Sequence, residues 1–225
     1  MGVTEEMSRR NSQTISCLLI LFSMFQSALA LGKTSLNFSR SPLELRSPNG
    51  IYEIHNTVHP ANFNNQMLYV EQPDTLVLRK VKDGSNDLLT LKYHRNVDVL
   101  WASDSRSFVV NKWDTNSHCD AVLYQLNNLR KPISIGRKLL SSGISAEEKK
   151  ALTNADHSYI FVDKWDGADS VVVKASGHYF PSGKPTVSYT FYYRWTISSN
   201  SWKLINKESV ENLKRAVPNM EQFGA

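Results

Sequence analysis

Residues 97–126 read VDVLWASDSRSFVVNKWDTNSHCDAVLYQL. Three apolar, β-branched or aromatic runs, 97–102, 107–111 and 121–126, are separated by stretches of Ser, Asp, Asn and Thr. Runs this short, closed by turn-forming residues, are the pattern of strands joined by tight turns, not of the strand–helix alternation of a parallel sheet. The same pattern extends upstream over 51–56, 66–70, 76–81 and 88–93, and downstream over 159–163, 171–175, 187–197 and 202–206. Asp83-Gly84, Asp166-Gly167, Ser182-Gly183 and Ser198-Ser199-Asn200 supply the punctuation of tight turns. The expected fold is all-β, an antiparallel meander forming one domain over 48–225, preceded by a polar extended lead-in at 31–47. Two segments break the pattern. Ser145 with Glu148 three residues on is a capping-box arrangement that predicts a short helix over 145–152. Val210, Leu213 and Val217 at helical spacing, stopped by Pro218, predict a second over 208–217.

The composition supports a packed domain. Of 225 residues, 41% are hydrophobic and 10% aromatic, which excludes a disordered chain, and two cysteines exclude a disulfide-stapled scaffold. The net charge of +5 is spread thinly, with no basic run beyond Arg79-Lys80 or Lys149-Lys150, so a nucleic-acid partner is not expected. Residues 1–30 read as a signal peptide. Arg9 and Arg10 precede the apolar run ISCLLILFSMF at 15–25, and Ala28-Leu29-Ala30 places small residues where a signal peptidase reads them. That run is shorter than the roughly 20 apolar residues of a membrane-spanning helix, so retention as an anchor is the alternative reading. Export to the periplasm or beyond is therefore expected, with no membrane span after cleavage. Cleavage would leave one cysteine, Cys119, expected to be buried.

A self-similarity runs through the chain. Phe108-Val109-Val110-Asn111-Lys112-Trp113-Asp114 is echoed by Tyr159-Ile160-Phe161-Val162-Asp163-Lys164-Trp165-Asp166, and each copy is followed by a polar turn and a second apolar strand. Strand–turn–strand units repeating at this interval point to stacked sheets or propeller blades. Val99-Leu100-Trp101-Ala102-Ser103-Asp104-Ser105-Arg106-Ser107-Phe108 resembles the Trp-Ser-Pro-Asp-Gly-Arg signature of TolB-like and WD-type β-propeller blades, and Ser47-Pro48-Asn49-Gly50-Ile51-Tyr52 resembles it more weakly. Ala102, Ser103 and Ser105 depart from that signature. The resemblance covers roughly residues 47–126 and implies a partial propeller-like binding scaffold.

The chemistry-bearing residues point to binding more than to catalysis. No Gly-x-Ser-x-Gly elbow and no glycine-rich phosphate loop occurs, and no metal or other cofactor is expected. His55 and His59 have helical metal spacing, but they sit where a strand and Pro60 are read. Equivalent turns of a repeat cluster on one face, so Lys112, Trp113, Asp114 and Asp120, with Lys164, Trp165, Asp166 and Asp169, are the candidate binding rim for a protein or glycan partner. The alternatives are an envelope-directed hydrolase using Asp114 and Asp166 as paired carboxylates, which must then lie about 5–10 Å apart, and a structural protein self-associating through 192–195. Of the aromatic run Phe191-Tyr192-Tyr193-Arg194-Trp195, at least one face must meet another layer or a partner.

Overall fold

Alternation decides which way each strand faces. Along Asn96–Trp101, Val97, Val99 and Trp101 are buried on one side and Leu100 on the other. Along Ser107–Trp113, Phe108 and Val110 oppose Val109 and Asn111, all of them buried. A strand apolar on both faces must be covered on both, and in this fold it is. The computed structural model describes residues 35–38, 43–58, 73–82, 86–113, 118–179 and 187–211. These form β1 (Ser35–Phe38), β2 (Glu44–Arg46), β3 (Tyr52–Thr57), β4 (Asp74–Lys80), β5 (Asp87–Tyr93), β6 (Asn96–Trp101), β7 (Ser107–Trp113), β8 (His118–Gln125), β9 (Ile133–Ser134), α1 (Ile135–Leu140), α2 (Ala146–Thr153), β10 (His157–Trp165), β11 (Ser170–Tyr179), β12 (Val187–Thr196) and β13 (Ser201–Glu211). The fold is all-β, its strands almost all antiparallel. Among the described residues no helix is long and apolar enough to cross a membrane.

One sheet has the order β2-β3-β4-β5. The other runs β1-β6-β7-β8-β10-β11-β12-β13, with β9 also on β8. The larger sheet is joined in its middle by only two parallel residue pairs, Ser158 with His118 and Tyr159 with Cys119. Beyond them β9 takes over the edge of β8 at Val122 and Leu123, and β10 leaves the ladder. It bends so that β10–β12 cover one face of β6–β8. The core records this as two clusters. In one, Leu100, Val109, Ala121 and Leu123 meet Val162, Val173, Phe191 and Trp195, together with Ile135, Leu139 and Leu152 of the helices. In the other, Val99, Trp101, Phe108 and Tyr124 meet Leu45, Ile54, Leu76, Leu78 and Tyr93 of the smaller sheet. The result is three layers with β6–β8 in the middle. Rings step across the second cluster, from Tyr52 to Trp101 (6.5 Å), to Phe108 (5.0 Å), to Tyr124 (5.2 Å). Each such side chain contributes roughly 1.5–3 kcal/mol by its burial.

Four hairpin turns carry a left-handed residue: Gly50 (φ 68°), Ser105 (φ 59°), Gly167 (φ 83°) and Asn200 (φ 50°). The first two turns share one hydrogen-bond pattern. Gly50 N donates to Ser47 O and Ser47 N to Tyr52 O; likewise Ser105 N donates to Ala102 O and Ala102 N to Ser107 O. Ser105 stands where glycine would be less strained, and its buried hydroxyl accepts a hydrogen bond from Asn49 N at 3.0 Å, tying one turn to the other.

Several expectations are corrected. The segment 31–47 is not simply a lead-in, because β1 pairs with β6 and β2 with β3. The helix expected over 208–217 is strand through Glu211, since β12 offers a continuous ladder from Trp195 and Trp202 to Val187 and Glu211, and a short helix without packing has no comparable gain. Residues 212–217 lie outside the described residues, as do the signal segment, the run at 66–70 and the Asp83-Gly84 and Ser182-Gly183 turns. The helix at 145–152 forms with both halves of its capping box. Helix α1 was not legible in the sequence.

Burial pushes the Tyr93 phenol up to about 12, with the nearby Asp74 carboxylate adding to the rise and the Asn56 hydrogen bond opposing it. Burial also raises Tyr124, Tyr189 and Tyr193. The folded state thus holds these protons more tightly than the unfolded chain, whose phenols titrate near 10. The stabilisation is complete below about pH 10 and is lost as pH rises towards 12. Urea midpoints measured from about pH 8 upward are expected to hold until about 10 and then fall; a flat profile to pH 12 would contradict the burial of Tyr93.

Candidate functional site

The parallel step between β8 and β10 decides where the candidate residues go. Since β7 is antiparallel to β8, and β8 parallel to β10, the strands β7 and β10 run in opposite directions. Trp113 ends β7 level with Cys119 and hence with Tyr159 at the start of β10, whereas Trp165 ends β10, roughly 20 Å of strand away at about 3.3 Å per residue. Lys112 and Trp113 therefore lie at the opposite end of the fold from Lys164 and Trp165, and these four do not form one rim. The likeness matches the second strand of the middle layer, β7, to the first strand of the covering layer, β10, in the same sheet. Asp114 lies outside the described residues, so the expected carboxylate pair with Asp166 does too.

Each remaining candidate has a local partner. Lys112 and Trp113 point to opposite faces of β7. Lys112 lines an apolar cleft of about 220 Å³ with Leu76, Tyr93, Val110 and Tyr124. The Trp113 Nε1–H donates to Asp98 Oδ2 at 2.8 Å, and its ring meets Tyr159 and Phe161 at 5.9 and 5.5 Å. Asp120 Oδ2 accepts the hydroxyl of Ser134, the residue capping α1. At the other end, Lys164 is exposed and Trp165 Nε1 donates to Leu100 O at 3.1 Å. Asp166 pairs with Arg194 at 2.5 Å. Asp169 accepts hydrogen bonds from the Ser198 backbone N–H and hydroxyl, while its own carbonyl accepts Ile197 N–H.

What the fold does bring together is a different set of turns. The 47–50, 102–105 and 166–169 turns each follow the first strand of a layer, and with the β12–β13 turn they share one end. Between them opens a cleft of about 780 Å³, lined by Asn49, Tyr52, Asp104, Arg106, Gln125 and Asp169 among others. Asp104 fixes its own turn by accepting Arg106 N–H at 2.9 Å, and Arg106 is exposed beside it. Of the seven candidates among the described residues only Asp169 borders this cleft. The signal for the others was the pairing of 47–52 with 99–108, which the repeat of Lys-Trp-Asp obscured.

The aromatic run divides as its alternation requires. Phe191, Tyr193 and Trp195 are core, while Tyr192 faces outward with Lys174 lying 5.6 Å from its ring and 5.8 Å from that of Phe161. His55 lies on β3 and His59 outside the described residues. Among the described residues no group of three or more His, Cys, Asp or Glu is placed to hold a metal ion. Cys119 is buried, as expected, and is in no disulfide among the described residues.

The sequence matches no protein-family model and no curated protein. Among solved structures it is similar to a chain from a structural and mechanistic study of two prolyl endopeptidases, with a TM-score of 0.33 and 9% identity, over 77% of this chain and 36% of that one. The chain thus spans little more than a third of that protein's length, and a likeness of this order carries no argument about fold or activity.

Asp169 ties one turn to the next through three hydrogen bonds, two of them to its carboxylate, while Lys164 reaches into solvent. Asp169→Ala is expected to cost about 1–2 kcal/mol of folding stability and Lys164→Ala less than about 0.5. Urea denaturation of both variants checks this, and equal effects would contradict the structural role assigned to Asp169.

Proposed function

We propose that this chain is a non-catalytic binding module on a partial propeller-like scaffold, exported under the signal at residues 1–30, and that it engages a protein partner through the turn-lined cleft. The observation that carries the reading is the register of the turns. Residues 47–52 and 102–107 have the same hydrogen bonds and the same left-handed position, and the 166–169 turn, closed by its own Asp166 N–H to Ser170 O bond, stands beside them with the cleft between. Turns held rigidly on stacked sheets are where a scaffold of this kind presents variable contacts. The lining mixes a charged pair, Asp104 and Arg106, with the ring of Tyr52 and the side chain of Ile51, which is 51% exposed. That combination of an apolar anchor and a charged rim suits a polypeptide surface.

A photo-crosslinking residue placed at Ile51, on the rim, and at Thr90, exposed on β5, separates this reading from its rivals. The expected result is one discrete adduct from position 51, lost in Arg106→Glu, and none from position 90. Adducts from both positions, or from neither, would overturn the proposal.

A further inference from the structure

At the end of the β10–β11 hairpin far from the rim turns, the register brings two histidines together. His157 opens β10 and His178 lies near the end of β11, and the antiparallel ladder sets them directly opposite each other although they are distant in the chain. Their imidazole rings lie side by side, 4.4 Å between centroids with 23° between planes, and both residues are half-buried. The Tyr159 ring flanks His157 at 6.4 Å. The backbone beneath the pair has little freedom to shift. Gly177 stands opposite Ser158 on the next rung, and a Cβ there would run into the His157 carbonyl and the Tyr189 hydroxyl, so the strands pack at this point without room for a side chain. Opposite residues of an antiparallel pair have Cβ atoms about 4.5–5.5 Å apart, a separation from which two imidazoles can turn onto one ion.

The ligand class follows from the donor atoms. A neutral imidazole offers one lone pair and one N–H. His157 Nδ1 is buried without a hydrogen-bond partner among the described residues, so Nε2 is the nitrogen that this ring has left to bind with. Two imidazoles held side by side form a chelate whose ordering is supplied by the ladder itself. Imidazole suits the late first-row ions, whereas Ca²⁺ and Mg²⁺ take oxygen ligands, which this pair does not offer. Among the described residues no third His, Cys, Asp or Glu stands with the two, so water fills the remaining positions. We propose that His157 and His178 bind one late first-row divalent ion, Zn²⁺ or Cu²⁺, through two imidazole nitrogens. With its other positions open to solvent, the site is exchangeable and not a structural one. It does not depend on the rim and stands or falls separately.

The test is a Zn²⁺ titration of the untagged, isotopically labelled full chain, following the imidazole nitrogen signals of its six histidines by NMR. His157→Asn and His178→Asn assign the two reporting signals, and His55, on β3 of the smaller sheet, is the internal control. One equivalent of Zn²⁺ is expected to shift the His157 and His178 signals together while that of His55 stays still. Each single variant should weaken the binding by at least about tenfold, and His55→Asn should leave it unchanged. With one equivalent of Cu²⁺, the electron paramagnetic resonance spectrum of the native chain should show two nitrogen ligands. No shift, shifts spread over all six histidines, or full affinity in either single variant would each overturn the proposal. If a variant fails to fold, the Cu²⁺ spectrum of the native chain decides, and fewer than two nitrogen ligands overturns it.

Discussion

The arrangement of the three layers depends on a single side-chain amide. After two pairs with β8, strand β10 has lost its neighbour on one side, and a backbone edge buried against β6–β8 needs partners. Asn111 supplies them: its Nδ2 donates to Val162 O at 2.9 Å and its Oδ1 accepts Val162 N–H at 2.9 Å. An amide side chain offers the same donor and acceptor as a peptide group, so it replaces one rung of the missing ladder. Trp165 Nε1, donating to Leu100 O, fixes the far end of the same crossing. Without these contacts, the core around Val109, Ala121, Val162 and Val173 would be closed over unsatisfied backbone.

That crossing also explains the chemistry of the strands. The middle strands read as nearly continuous apolar runs because both of their faces are covered, and polar residues within them are there for a reason: Asn111 for the crossing, and Asp98 for the Trp113 indole. The outer layers carry charged and polar residues on the face turned away from β6–β8. The smaller sheet carries Glu44, Arg46, Glu53 and Arg79 on its outer side, where Glu53 is held by Arg79. The third layer carries Tyr192, Lys174 and Phe161 on its outer side. The candidate rim lies where rigid strands end and turns begin, which lets the core hold its geometry without contributing to its specificity.

Strand identity was legible because period-two burial and turn residues are local properties, as at 97–102 and 107–111. The capping box of Ser145 and Glu148 was legible for the same reason. Strand partnership was not, since the parallel step between β8 and β10 involves residues 40 apart in the chain and leaves no mark in either segment. That step reverses the second Lys-Trp-Asp segment relative to the first, so a true likeness of sequence gave a false likeness of place. The short strands β1 and β2 escaped notice because their stability comes from the partner strands β6 and β3, not from their own sequence. The end of β13 is not legible because Val210, Leu213 and Val217 fit a helix equally well, and only the open edge of β12 decides for strand through Glu211. At the rim, Asn49 and Ser105 look like ordinary turn residues until the fold sets them 3.0 Å apart.

The most direct measurement is amide hydrogen exchange at Val162 in the native protein and in Asn111→Ala. If the crossing is as described, the Val162 amide exchanges slowly with the Asn111 side chain as its acceptor, and the substitution both exposes it and costs roughly 2–4 kcal/mol of stability. Rapid exchange at Val162 in the native chain, or an Asn111→Ala variant as stable and as protected as the native one, would contradict the three-layer arrangement.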